Sequence, residues 1–191
     1  MAAVTARLQA ATVLGELERS GVTHIVWLPD SETGFMYEAM TQSRITLVPV
    51  CREGESMPIA AGLIMGGKRP VVLIQSTGFF ESGDSIRGLC LDLKLPLLLM
   101  LGYRGHVAPG QTPADSAARF LEPILNAWGI PYHLIDSDAS CHFISEAYQQ
   151  ALDTSHPVAV LMGREYTNER ACRQPGHGWP RSAQGPLPLP D

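Results

Sequence analysis

The sequence predicts an α/β fold, a three-layer sandwich in which helices cover both faces of a six-stranded, mostly parallel sheet. Two observations predict it. Short apolar runs alternate along the chain with segments whose apolar residues recur at helical spacing, and these runs are almost free of polar residues. Strands of continuous apolar character are typical of parallel sheets that are buried on both faces, with a helix in each connection.

Six runs are predicted strands because apolar and β-branched residues dominate them: 23–28, 45–50, 70–75, 97–101, 131–135 and 158–162. The segments between them are predicted helices: one ending before Gly21, then 31–41, 59–65, one through Ile86 and Leu93, 116–128 and 140–152. Ligands of such sheets bind beyond the carboxyl ends of the strands. The loops 29–33, 51–58, 75–82 and 102–114 are therefore the places to look for a site.

The length of 191 residues suits one domain, predicted at 1–166, followed by a flexible tail at 167–191 that is rich in Pro and Gly and has no apolar face. The net charge is −5 and the basic residues are scattered, which argues against a nucleic-acid partner. The four cysteines form no CxxC pair, so neither a metal site nor a disulfide framework is expected. No signal peptide or membrane span is recognised, and a cytoplasmic protein is expected.

The loop after the second strand carries Glu53 at a strand-to-helix junction, with Pro58 at the expected start of the helix. A purely structural interpretation is available, because Glu53 and Glu55 both favour a helix N-terminus electrostatically. The small residues of 60–62, Ala-Ala-Gly, favour a second interpretation. They indicate a helix that packs closely against another backbone, as at a subunit interface or beneath a ligand.

A Glu followed nine positions later by Gly, with Ala-Ala before that Gly, resembles the activating-glutamate segment of thiamine-diphosphate-dependent enzymes. The resemblance implies that Glu53 hydrogen-bonds the aminopyrimidine ring of the cofactor and favours its imino tautomer. It implies a flavodoxin-like pyrimidine-binding (PYR) domain. Only Glu53, and not Glu55, keeps the spacing to Gly62.

The longer pattern REGE…IAAG…GGKRPVVLIQSTG resembles the pyrimidine-binding domains of phosphonopyruvate decarboxylase and of the sulfopyruvate decarboxylase α subunit. It implies that Gln75, Thr77 and Gly78 bind the cofactor. Taken alone, Gly78 permits a tight turn and Thr77 can cap a helix. Those relatives usually continue with an Asn-Ser-Gly-Leu-Gly-Asn-like stretch, whereas this chain continues with the bulkier, acidic Ser-Thr-Gly-Phe-Phe-Glu of 76–81.

Two other loops also resemble these decarboxylases. Asp30 and Ser31 follow the first strand and are predicted to contact the substrate, although either could simply cap the next helix. Arg104 and Gln111, after the fourth strand, are predicted to bind the substrate. Arg104 suits its anionic tail, because a guanidinium offers a planar fork of donors. His106 is a candidate catalytic proton carrier, although a lone loop histidine is more often a surface residue.

The predicted function is therefore the PYR subunit of a decarboxylase that converts a small anionic 2-oxoacid, such as 3-sulfopyruvate or 3-phosphonopyruvate, into CO2 and an aldehyde. The Gly-Asp-Gly…Asn-Asn signature that binds the cofactor's diphosphate through a metal has only one near match here, Gly-Asp-Ser at 83–85. A partner β subunit is expected to supply that domain and Mg²⁺, and PYR domains are expected to pair with each other. The alternatives are a carboligase or synthase subunit and a non-catalytic flavodoxin-like binding module.

Overall fold

The computed structural model describes residues 8–107, 110–113 and 115–163, so the predicted tail at 167–191 lies outside the described residues. Six strands form one sheet: β1 (His24–Trp27), β2 (Thr46–Pro49), β3 (Pro70–Gln75), β4 (Leu98–Gly102), β5 (Tyr132–Ile135) and β6 (Val158–Met162). Every neighbouring pair is parallel, in the order β2-β1-β3-β4-β6-β5. Each strand end lies within one residue of its prediction.

The described residues form seven α-helices. α1 (Ala10–Arg19) precedes β1, and the connections between strands contain α2 (Tyr37–Gln42), α3 (Glu53–Met65), α4 (Ser76–Glu81), α5 (Gly83–Ser85), α6 (Ser116–Ala127) and α7 (His142–Thr154). Short 3₁₀ turns precede α2 and α7, at Gly34–Met36 and Asp138–Ser140. α5 continues directly into a π-helix that spans Ile86–Asp92. No helix within the described ranges is both long enough and apolar enough to cross a membrane.

The sheet separates two apolar cores, which is what makes the fold a three-layer sandwich. Successive residues of β3 point to opposite faces, so Val71 packs in the core with α1 and α7, whereas Val72 packs in the core with α3 and α6. All five residues 70–74 of this central strand are buried. Burial on both faces explains why the strand sequences are continuously apolar rather than alternating.

The helix after β2 begins six residues earlier than the sequence predicts. Proline at position 58 suggested a start at 59, yet α3 begins at Glu53 and Pro58 lies inside it. Proline removes one backbone hydrogen bond there. The earlier turn is held by tertiary contacts instead, because Met57 is fully buried with its sulfur 3.9 Å from the Cys90 thiol.

The segment 75–82 was predicted to be a loop, but it contains the helix α4. Gly78 is helical rather than part of a tight turn, and no side chain caps this helix, so the capping interpretation of Thr77 is wrong as well. The fully buried Phe79 ring packs 5.5 Å from that of Trp128 and anchors α4 in the core. This burial overrides the turn-like local sequence.

Candidate functional site

The carboxyl ends of the neighbouring strands β1 and β3 mark the place where the fold is expected to have its ligand crevice. These strands are neighbours in the sheet, but the chain leaves β1 toward the edge strand β2 and leaves β3 toward β4 on the other side. The connections therefore diverge, which is the topological switch point where parallel α/β sheets bind ligands. The predicted site residues Asp30 and Gln75 lie at the two strand ends that bound this crevice.

Glu53, the first residue of α3, lies directly over the backbone of α4. A β-carbon built on Gly78 would fall 2.4 Å from Cγ and 2.9 Å from Oε1 of Glu53. Such distances are too short for any side chain, so residue 78 must be glycine for Glu53 to occupy this position. The structure thus brings together two residues that the sequence had assigned to the same cofactor site.

Glu81, at the end of α4, binds both residues that flank Glu53. Its carboxylate accepts hydrogen bonds from Nε of Arg52 at 2.5 Å and from the backbone N–H of Gly54 at 2.6 Å. These bonds hold the pKa of Glu81 below its ordinary value, chiefly through Arg52, although partial burial opposes the shift. The sequence reasoning assigned no role to Glu81.

Asp30 organises the turn between β1 and α2. Its Oδ1 accepts hydrogen bonds from the backbone N–H groups of Glu32 and Thr33, and its Oδ2 accepts one from the Thr33 hydroxyl at 2.9 Å. The Thr33 hydroxyl in turn accepts a bond from the Trp27 indole at 2.8 Å. Asp30 therefore stabilises the turn itself and does not cap the following helix, at whose start no side-chain capping bond forms. Its role toward substrate stays a prediction.

The environment of Asp30 also links it to Glu53. Burial raises the pKa of the Asp30 carboxyl above its ordinary value, and the negative charge of Glu53 raises it further, while the hydrogen bonds from Thr33 and Glu32 oppose the shift. The negative charge of Glu53 thus acts on Asp30 across the crevice. Ser31 is exposed beside them and, with Pro29 and the aromatic rings of Trp27 and Tyr37, lines an open groove of about 690 Å³.

The end of β3 holds two buried polar atoms, Oε1 of Gln75 and Oγ of Ser76, that have no hydrogen-bond partner among the described residues. Native proteins rarely leave such atoms unpaired, so both are available to a bound group. Together with the glycine beneath Glu53, they make the crevice chemically suited to a polar ring such as an aminopyrimidine. Thr77 is half-buried beside them, and the unpaired hydroxyl of Ser76 was not anticipated from sequence.

The remaining predicted residues lie in the connection after β4. Arg104 is half-exposed and donates from Nε to Oδ2 of Asp115 at 2.9 Å. The hydrogen bond from the backbone N–H of Ala117, and then the one from Arg104, hold the pKa of Asp115 below its ordinary value. The His106 ring packs 4.8 Å from that of Tyr103. Gln111 is exposed.

His106 lies toward β6 rather than toward the crevice. Its Cδ2 atom is 3.3 Å from the position of a β-carbon on Gly163, the residue that follows β6. Because β6 and β3 flank β4 on opposite sides, the structure groups Glu53, Gly78 and Asp30 and leaves His106 on the other side of β4. Among the described residues, no group of three or more His, Cys, Asp or Glu side chains could hold a metal ion.

Comparisons with known proteins agree with this architecture. The chain is 31% identical over 120 residues to the sulfopyruvate decarboxylase α subunit of Methanothermobacter thermautotrophicus. This alignment covers 62% of this chain and 73% of that protein. It is 26% identical over 159 residues to the sulfopyruvate decarboxylase α subunit of Methanocaldococcus jannaschii. That alignment covers 81% of this chain and 92% of that protein. No protein-family model matches the chain.

Among solved structures, the chain is similar to a 2-oxoglutarate:ferredoxin oxidoreductase from Magnetococcus marinus, with a TM-score of 0.62 and 15% identity over 81% of this chain. The chain spans 28% of the length of that protein, so the likeness concerns the fold alone. The fold and the relatives together define the chain as a PYR-type subunit of a thiamine-diphosphate-dependent enzyme. It belongs to the family of sulfopyruvate decarboxylase α subunits.

Proposed function

We propose that this chain is the PYR subunit of a thiamine-diphosphate-dependent decarboxylase that acts on a small anionic 2-oxoacid such as 3-sulfopyruvate or 3-phosphonopyruvate and releases CO2 and an aldehyde. The observation that carries the proposal is the position of Glu53, which lies over Gly78 at the switch point of the sheet. The relatives named sulfopyruvate decarboxylase α subunit support the same reaction class.

In this proposal Glu53 holds a proton that it shares with a ring nitrogen of the pyrimidine. Gln75, Thr77 and Gly78 bind the ring, and the unpaired Oε1 of Gln75 is an acceptor suited to an amino group. When bound, thiamine diphosphate supplies the carbon centre that stabilises the negative charge left as CO2 departs. The task of the chain is to orient the ring and keep its proton exchange with Glu53 fast.

The substrate would be oriented by Asp30 and Ser31 on one side and by Arg104 and Gln111 on the other. A sulfonate or phosphonate needs a cationic donor, and Arg104 can supply part of its guanidinium while Nε stays bonded to Asp115. His106 is the proposed proton carrier. It lies on the β6 side of β4 in the isolated chain, so the proposal requires the loop between β4 and α6 to bring it to the substrate in the complex.

A partner completes the enzyme. The relatives are named α subunits, which implies a β subunit, and we assign to that subunit the diphosphate-binding domain and Mg²⁺. The near match to a metal-binding signature at 83–85 lies within α5. Large apolar side chains are available for contact with other subunits, since Met65 at the end of α3 is 86% exposed and Leu93 after the π-helix is 63% exposed.

The experiment that tests the proposal is reconstitution with the β subunit, thiamine diphosphate and Mg²⁺. We expect the complex to release CO2 and sulfoacetaldehyde from 3-sulfopyruvate, or CO2 and the corresponding aldehyde from 3-phosphonopyruvate. Adding an acceptor aldehyde should leave the products unchanged. A new carbon–carbon-bonded product would instead identify a carboligase, and absence of thiamine diphosphate binding by the complex would eliminate the proposal.

A further inference from the structure

α3 and α4 are joined by two crossed contacts, each between a glutamate of one helix and a glycine of the other. Glu53 of α3 lies over Gly78 of α4, and Glu81 of α4 lies over Gly54 of α3, where a β-carbon would be 3.2 Å from its Oε2. We call these four residues, Glu53, Gly54, Gly78 and Glu81, the glutamate–glycine clasp. The two glycines allow both carboxylates to approach helix backbone.

Glu81 satisfies a backbone group that α3 itself leaves unpaired. The first N–H groups of a helix have no partner within it, and Gly54 is the second residue of α3. Its N–H donates to Oε2 of Glu81 at 2.6 Å, while Arg52, the residue before the helix, donates from Nε to Oε1. Glu81 therefore binds the residue before Glu53 and the residue after it through two charge-assisted hydrogen bonds.

We propose that Glu81 is a positioning residue for Glu53, fixing the first turn of α3 so that the Glu53 carboxylate is held over Gly78 at the distance its proton transfer requires. This inference rests on the proposed role of Glu53. Misplacing a catalytic group by about 1 Å can lower the rate on the order of a hundredfold. Glu81 touches neither the cofactor nor the substrate in this scheme, and it acts only through Arg52 and Gly54.

The first test uses the full chain without cofactor. Backbone hydrogen exchange at the Gly54 amide should be slow in the unaltered chain and fast in Glu81→Ala, because that amide loses its acceptor. The matched control is Glu55→Ala, which removes an exposed carboxylate from the same first turn and should leave Gly54 protected. Equal Gly54 exchange in the unaltered chain and Glu81→Ala would overturn the proposal.

The second test uses the complex with the β subunit, thiamine diphosphate and Mg²⁺. Glu81→Ala should lower kcat for 3-sulfopyruvate roughly tenfold to a hundredfold, leave KM within about twofold, and slow exchange of the bound cofactor's C2 proton by the same factor as kcat. Glu55→Ala should change none of these. A loss in Glu81→Ala that appears only in KM, or that disappears at saturating β subunit, would indicate a role in binding or assembly and overturn the proposal.

A double-variant cycle isolates the contact. Gly54→Ala places a methyl group against the Glu81 carboxylate, so in the otherwise unaltered chain it should slow exchange of the cofactor's C2 proton. In a chain that already carries Glu81→Ala, it should slow that exchange no further. Alanine is the better helix former by about 1 kcal/mol, so unfolding of α3 would not explain the loss. Fully additive effects would contradict the inference.

The inference and the proposed function fail in different ways. If Glu53→Gln abolishes C2 exchange and Glu81→Ala leaves it intact, only the positioning role of Glu81 is wrong. If Glu53→Gln itself leaves exchange and turnover unchanged, the proposed function is wrong and the clasp is a structural contact.

Discussion

Single residues decide where Glu53 lies in the crevice. Its Cγ and Oε1 atoms lie over the backbone of Gly78. Burial raises the pKa of the nearby Asp30 carboxyl, and the negative charge of Glu53 raises it further. Because the α4 backbone closes one side of the Glu53 side chain, a bound ring would meet its carboxylate from another side.

The most direct prediction concerns Glu53→Gln. The amide is isosteric and can occupy the same position over Gly78, so the thermal midpoint should change little. An amide cannot share a proton with a ring nitrogen, so turnover of the complex should fall by roughly 10²–10⁴-fold. Glu55→Gln is the control and should keep full activity. If Glu55→Gln proves to be the inactive variant, the activating glutamate has been assigned two positions too early.

Gly78→Ala tests the contact from the other side. The added methyl group would meet Cγ of Glu53 at 2.4 Å, so Glu53 must move and turnover should fall at least tenfold. Overpacking typically costs about 1–3 kcal/mol, which offsets the roughly 1 kcal/mol that alanine adds to a helix. Thermal unfolding of the isolated chain should therefore show no gain in stability.

Gly62→Ala is the matched control for that measurement. Gly62 lies inside α3, and a β-carbon there has no neighbour within 4 Å in the described structure. This substitution should stabilise the isolated chain by up to about 1 kcal/mol. If Gly62→Ala and Gly78→Ala stabilise the isolated chain equally, and Gly78→Ala keeps its turnover in the complex, then Glu53 does not lie over α4 in solution.

Arg104→Ala should weaken use of a sulfonated or phosphonated substrate. Losing a charge-assisted hydrogen bond costs roughly 1.5–3 kcal/mol, so kcat/KM should fall on the order of tenfold or more. Arg119→Ala removes an exposed arginine from α6 and should have no such effect. Equal kcat/KM values for the two variants with 3-sulfopyruvate would exclude Arg104 from substrate binding.

At the scale of elements, the six strands could be predicted because their signal is local, a continuous apolar run that ends at Pro, Gly or a polar residue. The reason for glycine at position 78 could not be predicted, because the group that occupies its space belongs to Glu53, twenty-five positions earlier. The same holds for Glu81, whose partners Arg52 and Gly54 are 29 and 27 positions away. Contacts between residues distant in sequence thus decided what the local sequence left ambiguous. They include Met57 with Cys90 at the early start of α3 and Phe79 with Trp128 in the helical segment 76–81.

The link between α3 and α4 should depend on pH with a defined sign. Because the folded state holds the pKa of Glu81 below its ordinary value, the stability this group contributes is present above the unfolded pKa of about 4.3 and is lost as the pH falls through the folded pKa. The thermal midpoint of the unaltered chain should exceed that of Glu81→Gln at neutral pH. The difference should shrink in acid and in high salt. Glu55→Gln serves as the reference, and a difference that grows in acid would contradict the assignment.

At the scale of the whole molecule, the proposal assigns one half of an active site to this chain. The crevice offers Glu53, Gly78 and the unpaired polar atoms of Gln75 and Ser76, which would orient a pyrimidine ring. The relatives are named α subunits, which implies a partner subunit. We therefore expect catalysis to belong to the complex.

The purified chain alone should show no decarboxylase activity with thiamine diphosphate, Mg²⁺ and either 3-sulfopyruvate or 3-phosphonopyruvate. Addition of the β subunit should restore turnover in proportion to the complex formed. Size-exclusion chromatography beside the assay would separate a failure to assemble from a failure to catalyse. Robust turnover by the chain alone would contradict the split-enzyme interpretation.

The order of the strands also governs how the chain can fold as it leaves the ribosome. Among the described strands, the last in sequence, β6, lies inside the sheet between β4 and β5, and β5 pairs with β6 alone. Strands β1 to β4 can pair as soon as they emerge, but β5 must wait for some twenty more residues, with the edge of β4 uncovered meanwhile. A ribosome that stalls before residue 158 would therefore display a four-stranded sheet with an open apolar edge, the state in which this chain is most exposed to aggregation and to chaperones.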